Sequence, residues 1–356
     1  MARPTRAVLD AGALRHNFAR VRDCAPQARV MAIVKADGYG HGLEWVARNL
    51  PDADAFGVAS LEEGERLRGV GVAQPVVLLE GFFSHEELPR IVAQQLEPVV
   101  HTHDQVAALE AFHGTPMKLW LKLDSGMHRL GFPPADVPAI LDRLKRCRAV
   151  ADVRFMSHLA NADDLADRAT PAQLDRFLSA VAANAVRSVA NSAGIVGWPA
   201  SHFEWVRPGI MLYGVSPLLG RTAEHLGLRP VMTLESRLIA VQERRKGDAI
   251  GYGGSWRCPD DMRVGVAAVG YGDGYPRHAV SGTPVRSNGR LAPLVARVSM
   301  DMITLDLRAC PDARVGDRVV LWGDGLPVEQ VAASAGTIGY ELLCHVTPRV
   351  PRHERE

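Results

Sequence analysis

The chain has 356 residues, and its 41 Lys and Arg residues balance 40 Asp and Glu residues, which leaves a formal net charge of +1 at pH 7. Hydrophobic residues make up 47% of the chain and charged residues 23%, which is ordinary for a globular protein and excludes a disordered chain, a collagen and a coiled coil. The balanced charge provides no overall attraction to nucleic acid or to anionic lipid. The length predicts about two domains.

No apolar run approaches the roughly 18 residues of a membrane-spanning helix. The first residues are basic but carry charges where a signal peptide needs its apolar core, so we expect a cytoplasmic protein without a membrane partner. Five cysteines are scattered along the chain, are odd in number and form no CxxC pair. This pattern predicts neither a metal site nor a disulfide framework.

Up to about residue 227, short apolar runs alternate with amphipathic stretches, which is typical of strands joined by helices. Strands are predicted over 29–35, 54–59, 75–79, 96–100, 117–123, 150–157, 186–190 and 209–213. Helices are predicted over 43–50, 61–69, 84–95, 103–112, 134–147 and 171–183. Eight such pairs favour an α/β fold with a closed (β/α)8 barrel of the TIM type over 1–227, and an open doubly wound sheet is the alternative.

After residue 228, strand-like runs follow one another directly, which predicts a mostly β C-terminal domain over 228–356. Strands are predicted over 234–244, 263–270, 283–287, 290–299, 302–307 and 317–322, with one helix over 327–334. Asn288 and Gly289 separate two of these runs and predict a tight hairpin turn. An isolated strand within the first 12 residues is free to pair with this domain.

Ionisable residues fall where the predicted barrel strands end, and these ends form one mouth of such a barrel. The residues are Lys35, Lys122, Arg129, His158 and Arg207. A lone lysine at a strand end usually extends its amine to water. In a partly dry pocket, however, burial lowers the pKa of the amine, which then forms a Schiff base readily. A glycine-rich turn over 36–42 follows Lys35, and backbone N–H groups at a helix start suit a phosphate.

The segments AIVKADGYGHG, LKLDSGMHRLGF, MSHLANAD, ANSAG, RPGIMLYG, GYGGSW, VGYGDGYPR and RVSMDM resemble, in this order, segments of the alanine racemases. These enzymes use pyridoxal 5′-phosphate (PLP). The resemblance covers nearly the whole chain and implies a barrel followed by a β domain, in a homodimer with shared active sites. It implies interconversion of L- and D-alanine, for peptidoglycan or for alanine catabolism. A broader-specificity amino-acid racemase, a fold-related PLP decarboxylase and a non-enzymatic PLP carrier are the alternatives.

Racemisation removes the Cα proton from one face of the amino acid and returns a proton to the other face, so two acid–base groups should flank the carbon. The resemblance implies that Lys35 is both the Schiff-base lysine and one base, and that Tyr252 of the partner subunit is the other. His158 matches the family residue that contacts this tyrosine, and Arg207 lies behind it. A free tyrosine titrates near pH ~10, so such a base needs help to lose its proton.

The resemblance also implies which residues bind the cofactor. Tyr39, Ser192 and the backbone amides of Gly209 and Ile210 match the phosphate site, although a serine at such a position also commonly caps a helix. Arg207 matches the residue that faces the pyridine nitrogen. Because a guanidinium donates a hydrogen bond but keeps its proton, we expect Arg207 to suppress transamination.

The remaining residues implied by the resemblance surround the substrate. Arg129 matches the arginine that steadies the phenolic oxygen of the cofactor and the carboxylate of the substrate. Lys122 matches a lysine that is carbamylated in many family members, and an ordinary ion pair with an acid is the alternative. Met300 and Asp301 match the partner-subunit segment near the substrate carboxylate, and Tyr271 matches a tyrosine that narrows the entry. Together, Tyr252, Tyr271 and Met300 are expected to leave a pocket suited to a methyl side chain. Two positions depart from patterns seen in some family members, Ser188 (histidine in some) and Pro348 (tyrosine in some).

Overall fold

A computed structural model describes residues 3–355, so the first two residues and the last residue of the predicted domains lie outside the described part. The first strand, β1 (Arg6–Leu9), precedes a closed barrel of eight parallel strands in the order β2-β3-β4-β5-β6-β7-β8-β9. The barrel strands are β2 (Arg29–Ile33), β3 (Ala55–Val58), β4 (Val76–Leu78), β5 (Leu96–Val100), β6 (Met117–Lys122), β7 (Val150–Met156), β8 (Arg187–Ser188) and β9 (Trp205–Val206). The predicted fold class is therefore confirmed.

Helices cover the outside of the barrel because their apolar residues recur at helical spacing. In the helix Val137–Arg146, for example, Val137, Ile140 and Leu144 are buried while the intervening residues are exposed or half-buried. The strands that these helices cover are buried on both faces and mostly apolar, as is usual for a parallel sheet. The helices of this half are Ala11–Cys24, Leu43–Asn49, Leu61–Gly69, Leu88–Ala93, His103–Ala111, Val137–Arg146, Ala169–Ala180 and Ser192–Gly197.

The predicted eighth strand over 209–213 is wrong. The strand that closes the barrel is β9, and Ile210–Tyr213 forms a 3-10 helix instead. All four residues of this helix are buried, so their apolar character reflects packing rather than strand structure. A short apolar run does not distinguish a buried strand from a buried helical turn. The helix Ala11–Cys24, which was not predicted, follows β1 directly.

The C-terminal half contains a mostly antiparallel sheet of nine strands. One of the nine is β1, and the others are β10 (Met232–Arg244), β13 (Met262–Ala267), β14 (Arg286–Ser287), β15 (Arg290–Leu291), β16 (Leu294–Val295), β17 (Ile303–Asp306), β18 (Arg318–Trp322) and β19 (Arg352–Glu354). The strands β11 (Ala249–Ile250) and β12 (Trp256–Arg257) form a separate pair. The predicted hairpin turn is confirmed, because Asn288 and Gly289 both have positive φ, at 47° and 78°.

The two halves are joined at both ends of the chain. Strand β1 pairs with β10 in antiparallel register and with β19 in parallel register. The helices Val328–Ser334 and Gly339–Cys344 follow β18, and the second of them packs on the barrel mouth beside Lys35–Tyr39. Within residues 3–355, none of the helices combines the length and the apolar character needed to cross a membrane.

Candidate active site

A cavity of about 440 Å³ lies at the barrel mouth formed by the C-terminal ends of the strands. Many of the residues that the sequence predicts for the site line it, in agreement with the usual position of active sites in such barrels. These residues are Lys35, Tyr39, Lys122, Arg129, His158, Ser192, Arg207, Gly209 and Ile210.

Lys35 and Tyr39 reach this cavity from an unusual turn that follows β2. Ala36, Asp37, Gly38 and Tyr39 all have φ between 52° and 61°, so the chain makes one left-handed turn. This conformation costs roughly 1–2 kcal/mol for each residue with a side chain. The surroundings must therefore hold the turn in place.

Arg207 is only 4% exposed and makes four hydrogen bonds with neutral partners. Its guanidinium donates to the Ser188 hydroxyl at 2.7 Å and to the carbonyl oxygens of Ser157 and Val189 at 2.6 and 3.2 Å. It also lies 3.3 Å from Nδ1 of His158. Burial lowers the pKa of Arg207 to about 9, so the group remains charged near pH 7.

His158 and Lys122 lie beside this guanidinium. Burial and the nearby Arg207 lower the pKa of His158 well below its usual value, so the ring is neutral and its Nδ1 accepts a hydrogen bond from Arg207. Lys122 is 8% exposed. Its pKa is lowered to about 8, first by burial and then by Arg207, Arg129 and Lys35. In the described part of the chain no carboxylate pairs with Lys122. The predicted alternative, an ordinary ion pair between Lys122 and an acid, therefore has no partner there.

The other end of the cavity is built from hydroxyl and backbone N–H groups. The Ser192 hydroxyl accepts hydrogen bonds from the backbone N–H groups of Gly209 at 2.8 Å and of Met211 at 3.4 Å. The alternative role of Ser192 as a helix cap is wrong, because Asn191 caps the helix and Ser192 is its first residue. A Cβ at Gly209 would lie 2.5 Å from the Tyr39 hydroxyl, so only glycine allows this close approach.

Four predicted site residues do not reach the cavity of their own chain. Tyr252, Tyr271 and Met300 are 68%, 38% and 53% exposed on the C-terminal half, and Asp301 is paired with Arg349 at 2.6 Å. Backbone hydrogen bonds from the segment of Tyr271 to the carbonyl oxygens of residues 299 and 300 place Tyr271 beside Met300. Tyr271, Met300 and Asp301 therefore lie close together on the C-terminal half.

Comparison with known proteins identifies the family of the chain. A family model described as the N-terminal domain of alanine racemase matches residues 9–217, and one described as the C-terminal domain matches residues 231–354. The chain belongs to the alanine racemase family. It is therefore a member of a family of isomerases.

Individual alanine racemases are similar over nearly their whole length. The alanine racemase of Nitrosococcus oceani is 58% identical over 97% of this chain and 98% of that protein. The biosynthetic alanine racemase of Escherichia coli O6:H1 is 52% identical over 95% of each chain. The crystal structure of the biosynthetic alanine racemase from Pseudomonas aeruginosa has a TM-score of 0.97 and 46% identity, and the match covers 99% of this chain and 100% of that one.

The lining of this racemase-family cavity also includes residues that were not predicted from the sequence, among them Tyr340 and Cys344. Tyr340 and Cys344 line the cavity from the helix Gly339–Cys344, which the sequence analysis did not predict. Their spacing of four residues places them on one face of a helix. Tyr340 is 38% exposed, and its partial burial raises its pKa to about 12, so its hydroxyl keeps its proton. Only the packing of this helix against the barrel brings both residues to the site.

Proposed function

We propose that the chain is a PLP-dependent alanine racemase that interconverts L- and D-alanine at this cavity. The observation that carries the proposal is the combination, in one cavity, of the Lys35 amine, the buried Arg207 guanidinium and the hydroxyl and N–H groups around Gly209. The identity of 58% to a curated alanine racemase over nearly the full length supports it.

The donor set fits PLP at each end of the cavity. Lys35 would hold the cofactor covalently, and Tyr39, Ser192 and the amides of Gly209 and Ile210 would bind its phosphate. The close approach of Tyr39 to Gly209, where a Cβ would lie 2.5 Å from the hydroxyl, supports a preformed cradle for the phosphate. When bound, PLP supplies an electron sink that makes the Cα proton of the amino acid acidic.

Arg207 would face the pyridine nitrogen and Arg129 the phenolic oxygen. Arg207 has no carboxylate partner among the described residues, but its guanidinium stays charged near pH 7. It would therefore donate a hydrogen bond to the pyridine nitrogen without transferring a proton. We expect this to confine proton return to Cα and so to suppress transamination. The same feature favours a racemase over the fold-related decarboxylases, which usually place an acidic group opposite the pyridine nitrogen.

Two residues would move the proton, one on each face of the substrate. Lys35 acts from its own subunit, and Tyr252 of the partner subunit acts from the opposite face. The 68% exposure of Tyr252 and its position outside the cavity of its own chain support a homodimer with shared sites. The neighbouring Tyr271, Met300 and Asp301 would enter the same partner site and restrict it to a methyl side chain.

Lys122 is the remaining buried amine, and we propose that it carries a carbamate. Because its pKa lies near 8, part of the amine is neutral at physiological pH. The nitrogen lone pair attacks the carbon of CO₂, the N–C bond forms, and one N–H proton is released to solvent. The resulting anion would offset the positive charges of Arg129 and Arg207 beside it.

The test begins with the purified protein and added PLP. We expect a visible absorbance that borohydride abolishes, with the reduced cofactor attached to Lys35 in a peptide mass map. Supplied separately, L-alanine and D-alanine should both reach the racemic mixture, and Lys35→Ala should be inactive. Release of CO₂ would instead indicate a decarboxylase, binding without turnover a carrier, and equal turnover of longer amino acids a broader racemase.

The relatives also bear on the biological role. The proteins from Escherichia coli and Pseudomonas aeruginosa are both named as biosynthetic. This favours supply of D-alanine for peptidoglycan over alanine catabolism.

A further inference from the structure

His41 lies immediately after the left-handed turn and is fully buried. Its Nδ1 lies 3.0 Å from the carbonyl oxygen of Gly38 and 2.9 Å from that of Tyr39. Both carbonyl oxygens only accept hydrogen bonds, so Nδ1 carries the proton and donates it to both. Nε2 of the ring has no partner in residues 3–355. Burial lowers the pKa of His41 to about 4, so the ring is a neutral donor directed at the backbone of the turn.

Aromatic packing connects His41 to the two ends of the same turn. The centroid of its ring lies 4.7 Å from that of Tyr213. The Tyr213 ring in turn stacks on the Tyr39 ring, with 4.6 Å between their centroids. The Tyr213 hydroxyl donates to the carbonyl oxygen of Ile33 at 2.9 Å, at the end of the strand that precedes Lys35. Movement of the turn would disturb all of these contacts together.

Arg352 holds the turn from the opposite end of the chain. This residue begins β19, and its Nε donates to the carbonyl oxygen of Gly40 at 2.8 Å. Its guanidinium also lies 3.7 Å from the carboxylate of Asp37. Gly40 packs so closely on the backbone of Leu343 that any Cβ there would collide. The C-terminal half therefore holds the left-handed turn of the same chain in place.

We propose that His41 and Arg352 are positioning residues that preform the cofactor cradle. They fix the backbone carbonyls of a turn that side chains rarely adopt, and this fixes the directions of Lys35 and Tyr39 before the cofactor binds. The proposal rests on the proposed function, because the ligand is PLP. A preformed site binds more tightly since less ordering accompanies binding.

The test compares two substitutions of His41 that differ in where they place a donor. The amide nitrogen of Asn occupies the position of Nδ1, whereas that of Gln occupies the position of Nε2, which has no hydrogen-bond partner in residues 3–355. We expect His41→Asn to keep the Kd for PLP within about threefold of the wild type and His41→Gln to raise it roughly tenfold or more. Titration of the apoprotein with PLP, followed by visible absorbance, measures this directly.

Arg352→Lys keeps the positive charge near Asp37 but removes the Nε donor, and we again expect roughly a tenfold weaker Kd. Arg355→Lys is the matched control, because Arg355 lies near the same strand and pairs with Asp10 at 3.3 Å, away from the turn. Its Kd should not change.

The outcomes separate this inference from the proposed function. If the wild type takes up no PLP, both are wrong. If the wild type binds PLP and the His41→Asn, His41→Gln and Arg352→Lys variants bind it equally well, only the positioning role is wrong. A purely structural role would lower the thermal midpoint of the Asn and Gln apoproteins and their PLP affinities in parallel, which would also overturn it. Equal midpoints of the His41→Asn and His41→Gln apoproteins, with a weaker Kd for His41→Gln but not for His41→Asn, would support it.

Discussion

The ammonium group of Lys122 lies among the positive charges of Lys35, Arg129 and Arg207, while only 8% of the residue is exposed. Desolvation and these charges act in the same direction, since both favour the neutral amine. The consequence for stability follows from proton linkage. Because the pKa of Lys122 is about 8 in the folded protein against an ordinary value of 10.5, the unfolded chain binds more protons between these pH values.

We therefore predict that raising the pH from 8 to 10.5 stabilises the wild type relative to Lys122→Met. The expected difference in the free energy of unfolding over this window is roughly 3 kcal/mol. Urea unfolding of both apoproteins in CO₂-free buffer, at one fixed protein concentration, measures it. A difference that does not vary with pH would contradict the environment described for Lys122. With ¹³C-bicarbonate at pH 8, a carbamate carbonyl signal should appear only in the wild type.

Among elements, seven of the eight barrel strands were predictable because covered parallel strands are continuous apolar runs, whereas the closing strand Trp205–Val206 was not. Their C-terminal ends meet at one mouth, so residues such as Lys35, Lys122 and His158 were expected together from their positions alone. The left-handed turn was not predictable, because Ala36, Asp37 and Tyr39 have side chains that do not favour positive φ. Tertiary contacts impose it. Tyr340 was missed for a similar reason, since only the packing of its helix brings it to the barrel.

Two loops of the C-terminal half are joined through one fully buried carboxylate. Asp273 ends the turn Tyr271–Asp273 and pairs with Arg3 at 2.6 Å and with Arg349 at 2.9 Å. Arg349 also pairs with Asp301 at 2.6 Å. The network therefore ties the segment of Tyr271 to the segment that carries Asp301.

We predict that Asp273→Asn lowers the free energy of unfolding by about 2 kcal/mol, because two arginines lose a charged, buried acceptor but remain partly exposed to water. The control is Asp260→Asn, which removes an exposed partner of Arg308 and should change stability by less than about 0.5 kcal/mol. Guanidinium unfolding at fixed protein concentration compares the two. Equal effects of the two substitutions would show that burial of the network adds nothing to the free energy of unfolding.

At the scale of the whole molecule, the separation of Lys35 from Tyr252 determines how many chains one active site needs. Lys35 lines the cavity, whereas Tyr252 lies on an exposed surface of the other half of the same chain. If the partner subunit supplies the tyrosine, a heterodimer of Lys35→Ala and Tyr252→Phe chains contains one complete site and one site that lacks both groups. If each chain were self-sufficient, no combination of these chains would contain a complete site.

We therefore predict that the two inactive variants regain activity when their subunits are allowed to exchange. Random pairing makes about half of the dimers mixed, each with one complete site, so activity should approach about a quarter of the wild-type value. Lys35→Ala mixed with the double variant Lys35→Ala/Tyr252→Phe is the matched control, because no dimer then contains Lys35. Activity in the first mixture alone requires that the tyrosine act across the interface. Absence of activity after proven exchange would place the second acid–base group elsewhere.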